Sequence, residues 1–355
     1  MTSGRRQFVQ HARAGPPVGA TVNTVRVMGR TTHSPSRRTS VRALAMLAIV
    51  VAMLIPAVAS SSHGDLLRVH AASAPSEFGC PILPADNPLN EEVAGDPVSP
   101  HSAEYVASIG ATAHLHPDFG TNLSYGIPYA VASATQTAVP VKLTKYRAES
   151  DAGPYPVPPE APIEGGGKKG KGDKHVLVVQ EGSCKLFEMY KAARKGEGWK
   201  AQAGAVFDLR SNALRPEGWT SADAAGLPIF PLLARYPEVA AGQIEHALRV
   251  TVPQSQRGYI HPATHYASSS SSASLPPMGL RLRLKASYSL AGYHGESLII
   301  LEALKRYGLI VADNGSPWYI TGAPDARWND ADLEQIKQVP GSAFEAVETG
   351  PILHG

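Results

Sequence analysis

The segment with the densest groups for metal or acid–base chemistry is His114-Leu115-His116-Pro117-Asp118. If it is extended, His114, His116 and Asp118 point to one face, because strand side chains alternate with a period of two. Imidazole nitrogen and carboxylate oxygen suit Zn²⁺, Mn²⁺ or Cu²⁺. These three residues are therefore candidate metal ligands, and Asp118 is also a candidate catalytic residue. The alternative is a structural loop, and nothing else in the sequence requires a cofactor.

A second polar cluster, Phe207-Asp208-Leu209-Arg210-Ser211-Asn212, ends an apolar strand, and Trp219 follows it closely. A carboxylate beside an aromatic ring is typical of sugar recognition and glycosidic cleavage, because the ring stacks on the pyranose while carboxyl groups protonate and attack. We predict Asp208 as a catalytic residue, with Arg210 and Trp219 binding substrate. The alternative is structural, with Asp208 paired to Arg210 or Arg215.

A third set of residues lies at the ends of two later strands. His246 and Arg249 open one strand-like run, and His265 and Tyr266 follow another. If the strands are neighbours, these side chains share a groove in which the arginine offsets a uronate charge while His or Tyr takes the C5 proton, as in a polysaccharide lyase. This predicts His246 and His265 as catalytic residues and Arg249 and Tyr266 as substrate-binding residues. The alternative is that both histidines are structural.

Further carboxylates lie in a proline-rich excursion at residues 149–166. Asp151, Glu160 and Glu164 are either functional loop acids or solvated ones. Motifs of several other enzyme classes are missing from the sequence, which has no GxSxG elbow, no HExxH pair and no Walker A loop. It therefore gives no indication of an α/β-hydrolase, a zincin or a P-loop nucleotide site.

Short apolar segments bounded by Gly, Pro, Asn or Ser must position these groups. Ten of them have strand character: Ile127–Val131, Val139–Leu143, His175–Val179, Lys185–Tyr190, Ala203–Leu209, Ala247–Val252, Gly258–His261, Leu280–Lys285, Leu309–Ala312 and Trp318–Thr321. Helical patterns are fewer, at Gly295–Tyr307 and Asp330–Gln338. Many short strands with few helices predict a mainly β single domain of β-sandwich or jelly-roll type.

An export signal precedes this domain. The basic residues Arg37, Arg38 and Arg42 lead into an apolar run that ends at Ala57-Val58-Ala59. The run has the length of a signal-peptide core and is short for a membrane span. We expect residues 1–59 to be a leader cleaved near Ala59, residues 60–78 to be a Ser/Ala-rich linker, and residues 79–355 to be a secreted domain.

The leader also determines the charge of the chain. The sequence has 33 basic and 30 acidic side chains, and residues 1–59 contribute eight arginines and no acid, which leaves 25 basic and 30 acidic groups and a net charge of −5. An acidic exported domain is not expected to bind nucleic acid or anionic membranes. We expect a monomer that has no membrane attachment after cleavage.

The sequence has two cysteines, Cys80 and Cys184, and both follow the predicted cleavage site. Because thiols oxidise outside the cytoplasm, we expect one disulfide between them, stabilising the fold by about 4 kcal/mol. The alternative is two buried free thiols.

Several motifs resemble those of one family of exported, mostly bacterial proteins with no established activity. The motifs, spread over nearly the whole mature chain, are His116-Pro117-Asp118-Phe119-Gly120, residues 218–229 (GWTSADAAGLPI), His246-Ala247-Leu248-Arg249 and residues 262–268 (PATHYAS). Since the family has no known chemistry, the resemblance implies one coherent exported protein and carries over no catalytic residue.

The sequence as a whole predicts an enzyme, either a glycoside hydrolase or a polysaccharide lyase, that acts on an extracellular polysaccharide. The alternative is a non-catalytic carbohydrate-binding or cell-surface adhesion module. The enzyme is preferred because Asp, His and Arg residues lie at strand ends, which a binding module built on exposed aromatic rings does not need.

Overall fold

The computed structural model describes residues 74–167 and 172–354. This part of the chain is mainly β and β-sandwich-like, with a few short helices, which confirms the predicted fold class. All described residues belong to one compact unit. The predicted leader, residues 1–59, lies outside the described residues, as does the predicted linker up to residue 73.

The strands and helices follow one another along the described chain as β1 (Ser76–Glu77), β2 (Cys80–Pro81), α1 (Ser102–Ile109), β3 (His116–Asp118), β4 (Tyr129–Ala132), β5 (Val141–Leu143), β6 (Val176–Gln180), β7 (Lys185–Tyr190), β8 (Ala193–Lys195), β9 (Gly198–Ala201), β10 (Ala203–Asp208), α2 (Tyr236–Ala240), β11 (Leu248–Val252), β12 (Arg281–Leu284), α3 (Gly295–Arg306), β13 (Leu309–Asn314), β14 (Tyr319–Thr321), α4 (Asp330–Leu333) and β15 (Phe344–Val347). Short 3₁₀ turns lie at Arg147–Glu149, Phe230–Leu232, Glu334–Gln338 and Gly341–Ala343.

Two larger sheets position the candidate residues. The four-stranded sheet has the order β10-β7-β6-β4, and its β10 ends at Asp208 opposite Lys185 of β7. The six-stranded sheet has the order β15-β12-β13-β11-β14-β3 and carries Arg249 on β11 and Asp118 on β3. β6 is buried along Val176–Val179, which explains its unbroken apolar run.

Helix α3 shows how the sequence sets a boundary. Its buried residues Ser297, Ile300, Leu301 and Leu304 recur at helical spacing, so one face packs on the core. The helix is followed by Gly308 at φ 70°, where a Cβ atom would collide with the carbonyl oxygen of a residue in β12. Glycine is therefore required at the point where the chain turns into β13.

The predicted disulfide is confirmed. Cys80 in β2 and Cys184 before β7 are bonded, with their Cα atoms 5.4 Å apart, across a sequence separation of 104 residues. Both cysteines belong to the main apolar core, which also contains Leu177, Leu186 and Trp318. The bond ties the N-terminal segment to the four-stranded sheet.

Some elements differ from the prediction. Residues 258–261 form isolated bridges of Tyr259 with Met278 and Leu353 in place of a strand, because Gly258 and Pro262 bound the segment closely. The helix predicted over Asp330–Gln338 is one α-helical turn that continues as a 3₁₀ turn. Helix α1 was not predicted, because its eight residues begin without a side-chain cap.

Candidate functional site

An open pocket of about 290 Å³ lies at the end of β10. Its polar walls are Asn87, Asp151, Asp208, Asn212 and Arg215, and its apolar walls include Phe207, Leu214, Pro216, Pro228 and Pro262. These residues come from the β10 end, the loop that follows it, the N-terminal segment, the proline-rich excursion and, for Pro262, the segment between β11 and β12. The sequence-predicted Asp208 therefore lies in a cleft that solvent reaches.

Asp151 and Arg215 form the fixed polar wall of the open pocket. Oδ2 of Asp151 accepts hydrogen bonds from the Val206 backbone N–H at 2.9 Å and from Nη1 of Arg215 at 2.5 Å. The other guanidinium nitrogens of Arg215 donate to the carbonyls of Thr220 at 2.9 Å and Glu149 at 3.0 Å. Every nitrogen of this buried guanidinium is therefore engaged within the protein.

The aromatic ring predicted to bind sugar lies behind this wall. Trp219 is half-buried, and the Arg215 guanidinium lies 5.6 Å from its ring centroid and 5.5 Å from that of Phe207. Of the two rings, Phe207 lines the open pocket. Trp219 thus holds Arg215 in place by stacking.

Asp208 is exposed, and its Oδ1 accepts a hydrogen bond from the Arg210 backbone N–H at 3.0 Å. The Arg210 guanidinium donates to the carbonyls of Gly182 and Ser183, each at 2.9 Å. In the described part of the chain, neither Arg210 nor Arg215 forms an ion pair with Asp208. Its carboxylate is left facing solvent at the pocket.

Two amide side chains complete the open pocket. Nδ2 of Asn87 donates to Oδ1 of Asn212 at 2.9 Å, and Nδ2 of Asn212 donates to Oδ1 of Asp86 at 2.9 Å. Asn87 is itself fixed, since its Oδ1 accepts from the Leu89 backbone N–H at 2.9 Å. The disulfide-tied N-terminal segment is thereby joined to the loop after β10.

A second, smaller site of about 40 Å³ lies where the six-stranded sheet meets the segment before β6. We call it the polar cavity, and apart from Ile127 its lining side chains are polar, being Asp118, Glu164, Asp173, His175, Arg249, Thr251, Ser316, Tyr319 and Thr321. Two sequence-predicted residues, Asp118 and Arg249, therefore lie together here and away from Asp208.

Arg249 is the centre of a buried ionic cluster behind the polar cavity. It is 4% exposed and donates from Nε to Oδ1 of Asp223 at 2.8 Å, from Nη1 to Thr321 at 3.0 Å, and from Nη2 to Asp313 at 3.4 Å. Burial raises the pKa of the Asp313 carboxyl to about 7, although Arg249 acts to lower it. Burial likewise raises the pKa of Asp223 against the same guanidinium.

His175 lies on the opposite wall of the polar cavity. Its Nδ1 is 2.8 Å from Oε2 of Glu164, and its Nε2 is 3.0 Å from the Ala222 carbonyl oxygen. Burial acts to lower the pKa of His175, but the Glu164 carboxylate outweighs it and raises the pKa to about 9. The imidazolium is therefore the stable form at neutral pH, with both ring nitrogens donating.

The two histidines predicted to be catalytic lie outside both sites. His246 has no exposed surface, and its Nε2 is 3.1 Å from Oε1 of Glu238 in a buried cluster that includes Arg235. His265 is half-buried, its Nδ1 is 2.8 Å from the Ala224 carbonyl oxygen, and its ring stacks on Tyr266 at 5.6 Å. Neither histidine shares a groove with Arg249, whose partners are Asp223, Asp313 and Thr321.

The three predicted metal ligands, His114, His116 and Asp118, are not arranged as a metal site. Nδ1 of His114 is 2.7 Å from the Lys337 carbonyl oxygen, while His116 hydrogen-bonds to Tyr125 at 2.7 Å and stacks on Tyr319 at 4.1 Å. Among residues 74–167 and 172–354, no group of three or more His, Cys, Asp or Glu side chains is arranged to hold a metal ion.

Several residues of the two sites were not singled out as site residues from the sequence. Asp151 was one of three equivalent loop acids, while His175, Asp223 and Asp313 lie in or beside apolar runs. A buried charge within an apolar run is the signal that could have identified them, because such a charge needs a partner.

No family model, curated protein or solved structure matches this chain. In the described part of the chain, no helix has the length and apolar character that crossing a membrane requires.

Proposed function

We propose that this protein is an exported enzyme that cleaves an extracellular polysaccharide in the open pocket. The observation that carries the proposal is the meeting of two carboxylates, two amides and a set of apolar walls in one cleft of about 290 Å³. That volume is at the lower end for ligand pockets and suits one or two sugar rings. Apolar walls contact the C–H face of a pyranose, while amides and carboxylates bind its hydroxyls.

Glycosidic hydrolysis is the reaction that these carboxylates support best. Asp151 accepts a hydrogen bond from the backbone N–H of Val206, and Asp208 lies two residues further along the same strand, a rise of about 7 Å measured along the backbone. Carboxylates that flank a glycosidic bond are separated by about 5–10 Å. We therefore assign Asp151 and Asp208 as the two carboxylates that this reaction requires.

A non-catalytic carbohydrate-binding or adhesion module is the second candidate. Burial raises the pKa of two carboxyls, Glu188 and Asp313, to about 7, and both lie outside the open pocket. A general acid requires a raised pKa at the substrate, whereas a binding module needs only the pocket walls.

A panel of plant, algal and bacterial polysaccharides tests the proposal. We expect new reducing ends from at least one of them, and unsaturated uronates would indicate lyase chemistry instead. Asp208→Asn and Asp151→Asn should each lower kcat/KM by about 30-fold to 1000-fold, as expected for the loss of one key electrostatic group. Glu302→Gln, an exposed change on α3, is the matched control and should not alter the rate.

The outcomes separate the two candidates. Retention on an insoluble glycan without product would favour the binding module, provided that Asp208→Asn weakens the retention. If no glycan in the panel is bound or cleaved, the proposal is wrong in both forms.

Export is part of the same proposal. The disulfide Cys80–Cys184 supports an oxidising compartment. Fractionation of the native producing cells should recover the protein outside the cytoplasm, with an N-terminus close to Ser60. Recovery of an uncleaved cytoplasmic protein would contradict it.

A further inference from the structure

The open pocket has an unbalanced negative charge. Its charged lining residues are Asp151, Asp208 and Arg215, and the first and last form an ion pair with N···O 2.5 Å. The carboxylate of Asp208 remains, and it receives a hydrogen bond from a backbone N–H, which carries no net charge. A ligand at this position therefore meets a carboxylate that has no ion-pair partner among the described residues.

A second carboxylate adds to this field. Asp86 is exposed and accepts a hydrogen bond from Asn212, one of the amides that line the open pocket. Within the described residues Asp86 forms no ion pair. Asp86 is therefore a second acidic group in contact with the wall of the open pocket.

Two cations lie near Asp208 in the fold, and neither forms an ion pair with it. Lys185 lies opposite it across the β7–β10 pair, but in the described part of the chain its ammonium makes no ion pair with the carboxylate, and Lys185 does not line the pocket. The Arg210 guanidinium is bound to the carbonyls of Gly182 and Ser183.

The arginines that could receive an anionic sugar are already engaged. All three nitrogens of Arg215 donate to Asp151, Thr220 and Glu149. Arg249, in the separate polar cavity, donates to Asp223, Asp313 and Thr321. A uronate carboxylate in the open pocket would therefore face Asp208 without a cation to pair with.

We propose that the open pocket takes a hexosamine with a free amine, whose ammonium group binds Asp208, and that it rejects uronates. The inference rests on the proposed function, since it names the substrate class of the same pocket. An ammonium–carboxylate contact is a charge-assisted hydrogen bond, which is shorter and stronger than a neutral one. A carboxylate at the same place would be repelled by a similar amount.

Binding of three tetrasaccharides of equal length tests this assignment. They are β-1,4-linked glucosamine, its fully N-acetylated counterpart, and galacturonate, measured by titration calorimetry at low salt. We expect the glucosamine tetramer to bind about tenfold or more tightly than the acetylated one, which is the size of a partly screened contact between unit charges. The galacturonate should bind most weakly, and raising the salt concentration should reduce the preference.

The Asp208→Asn variant removes the charge of the side chain and keeps its size, so it tests whether the charge determines the preference. It should lower the affinity for the glucosamine tetramer about tenfold and change the affinity for the acetylated tetramer less than twofold. Glu302→Gln on α3 removes an acidic charge outside the open pocket and should change neither affinity. The melting temperature of each variant checks that it is folded.

Different results would contradict the substrate class and the proposed function. If the acetylated or galacturonate tetramer binds as well as the glucosamine tetramer, or if Asp208→Asn leaves the preference intact, the substrate class is wrong while the proposed function stands. If none of the three tetramers binds, this assignment is overturned, and the polysaccharide panel then decides the proposed function independently.

Discussion

The open pocket and the polar cavity contain the same kinds of side chain in opposite environments. In the open pocket, Asp208 is exposed and has a single backbone hydrogen bond. Behind the polar cavity, Asp223 and Arg249 are 2% and 4% exposed and are paired at 2.6 Å. Exposed charges contribute little to stability, whereas a buried charge without its partner is costly. The comparison therefore supports the proposal that the first region binds a ligand, and it predicts that the second region stabilises the fold.

The largest effect that this comparison predicts is on folding. Arg249→Met leaves the buried carboxyls of Asp223 and Asp313 without their cation, so we expect the free energy of unfolding to fall by about 3–5 kcal/mol. Urea denaturation measures it. Arg210→Met is the matched control, because that guanidinium is exposed and bonds to two carbonyls, and it should cost less than about 1 kcal/mol. Equal costs for the two variants would contradict the distinction between the regions.

The disulfide provides a further test of the comparison, because it ties down the N-terminal segment that forms one wall of the open pocket. Cys80 anchors the N-terminal segment whose Leu83, Asn87 and Leu89 line the open pocket. Replacing both cysteines by serine should lower the free energy of unfolding by about 2–4 kcal/mol. Binding in the open pocket should weaken in molecules that remain folded, since one wall is released. Unchanged sugar affinity in the folded variant would show that the wall is held without the bond.

The pH dependence of stability should come from the buried region. Burial raises the pKa of Glu188 from 4.5 and of Asp313 from 3.8, each to about 7. For His175 burial acts in the opposite direction, but Glu164 raises its pKa from 6.5 to about 9. All three groups bind protons more tightly when folded, so their stabilisation is complete below their ordinary pKa values and is lost as pH rises through the folded values.

We therefore expect the free energy of unfolding to fall by roughly 1–3 kcal/mol between pH 5 and pH 8. Urea denaturation at a series of pH values measures the slope. Glu188→Gln should flatten it, since the backbone N–H groups of Ile229 and Phe230 can still donate to the amide oxygen. A rise in stability over this range would mean that other groups govern the titration.

Features that depend on local patterns could be predicted from the sequence, whereas features that depend on contacts between distant segments could not. Strands such as β7 and β10 were predicted because their apolar runs are local, and the disulfide because only two cysteines exist. The polar cavity could not be predicted, because Asp118 and Arg249 come from β3 and β11, which lie in one sheet with β14 between them. Nor could the sequence distinguish Asp151 from its neighbouring loop acids, since its role depends on its contacts with Val206 and Arg215.

Asp208 has the largest proposed role in the open pocket, and its replacement is expected to have the smallest effect on stability. Asp208→Asn keeps the size of the side chain, and its amide oxygen can still accept from the Arg210 backbone N–H. We expect the free energy of unfolding to change by less than about 0.5 kcal/mol, as for most surface substitutions. The same chemical change at the buried site, Asp223→Asn, removes the charge that faces Arg249 and should destabilise the fold by several-fold more. Thermal unfolding of the two variants side by side tests this, because a large loss at Asp208 would make that carboxylate a structural group and remove the basis for placing it at a substrate.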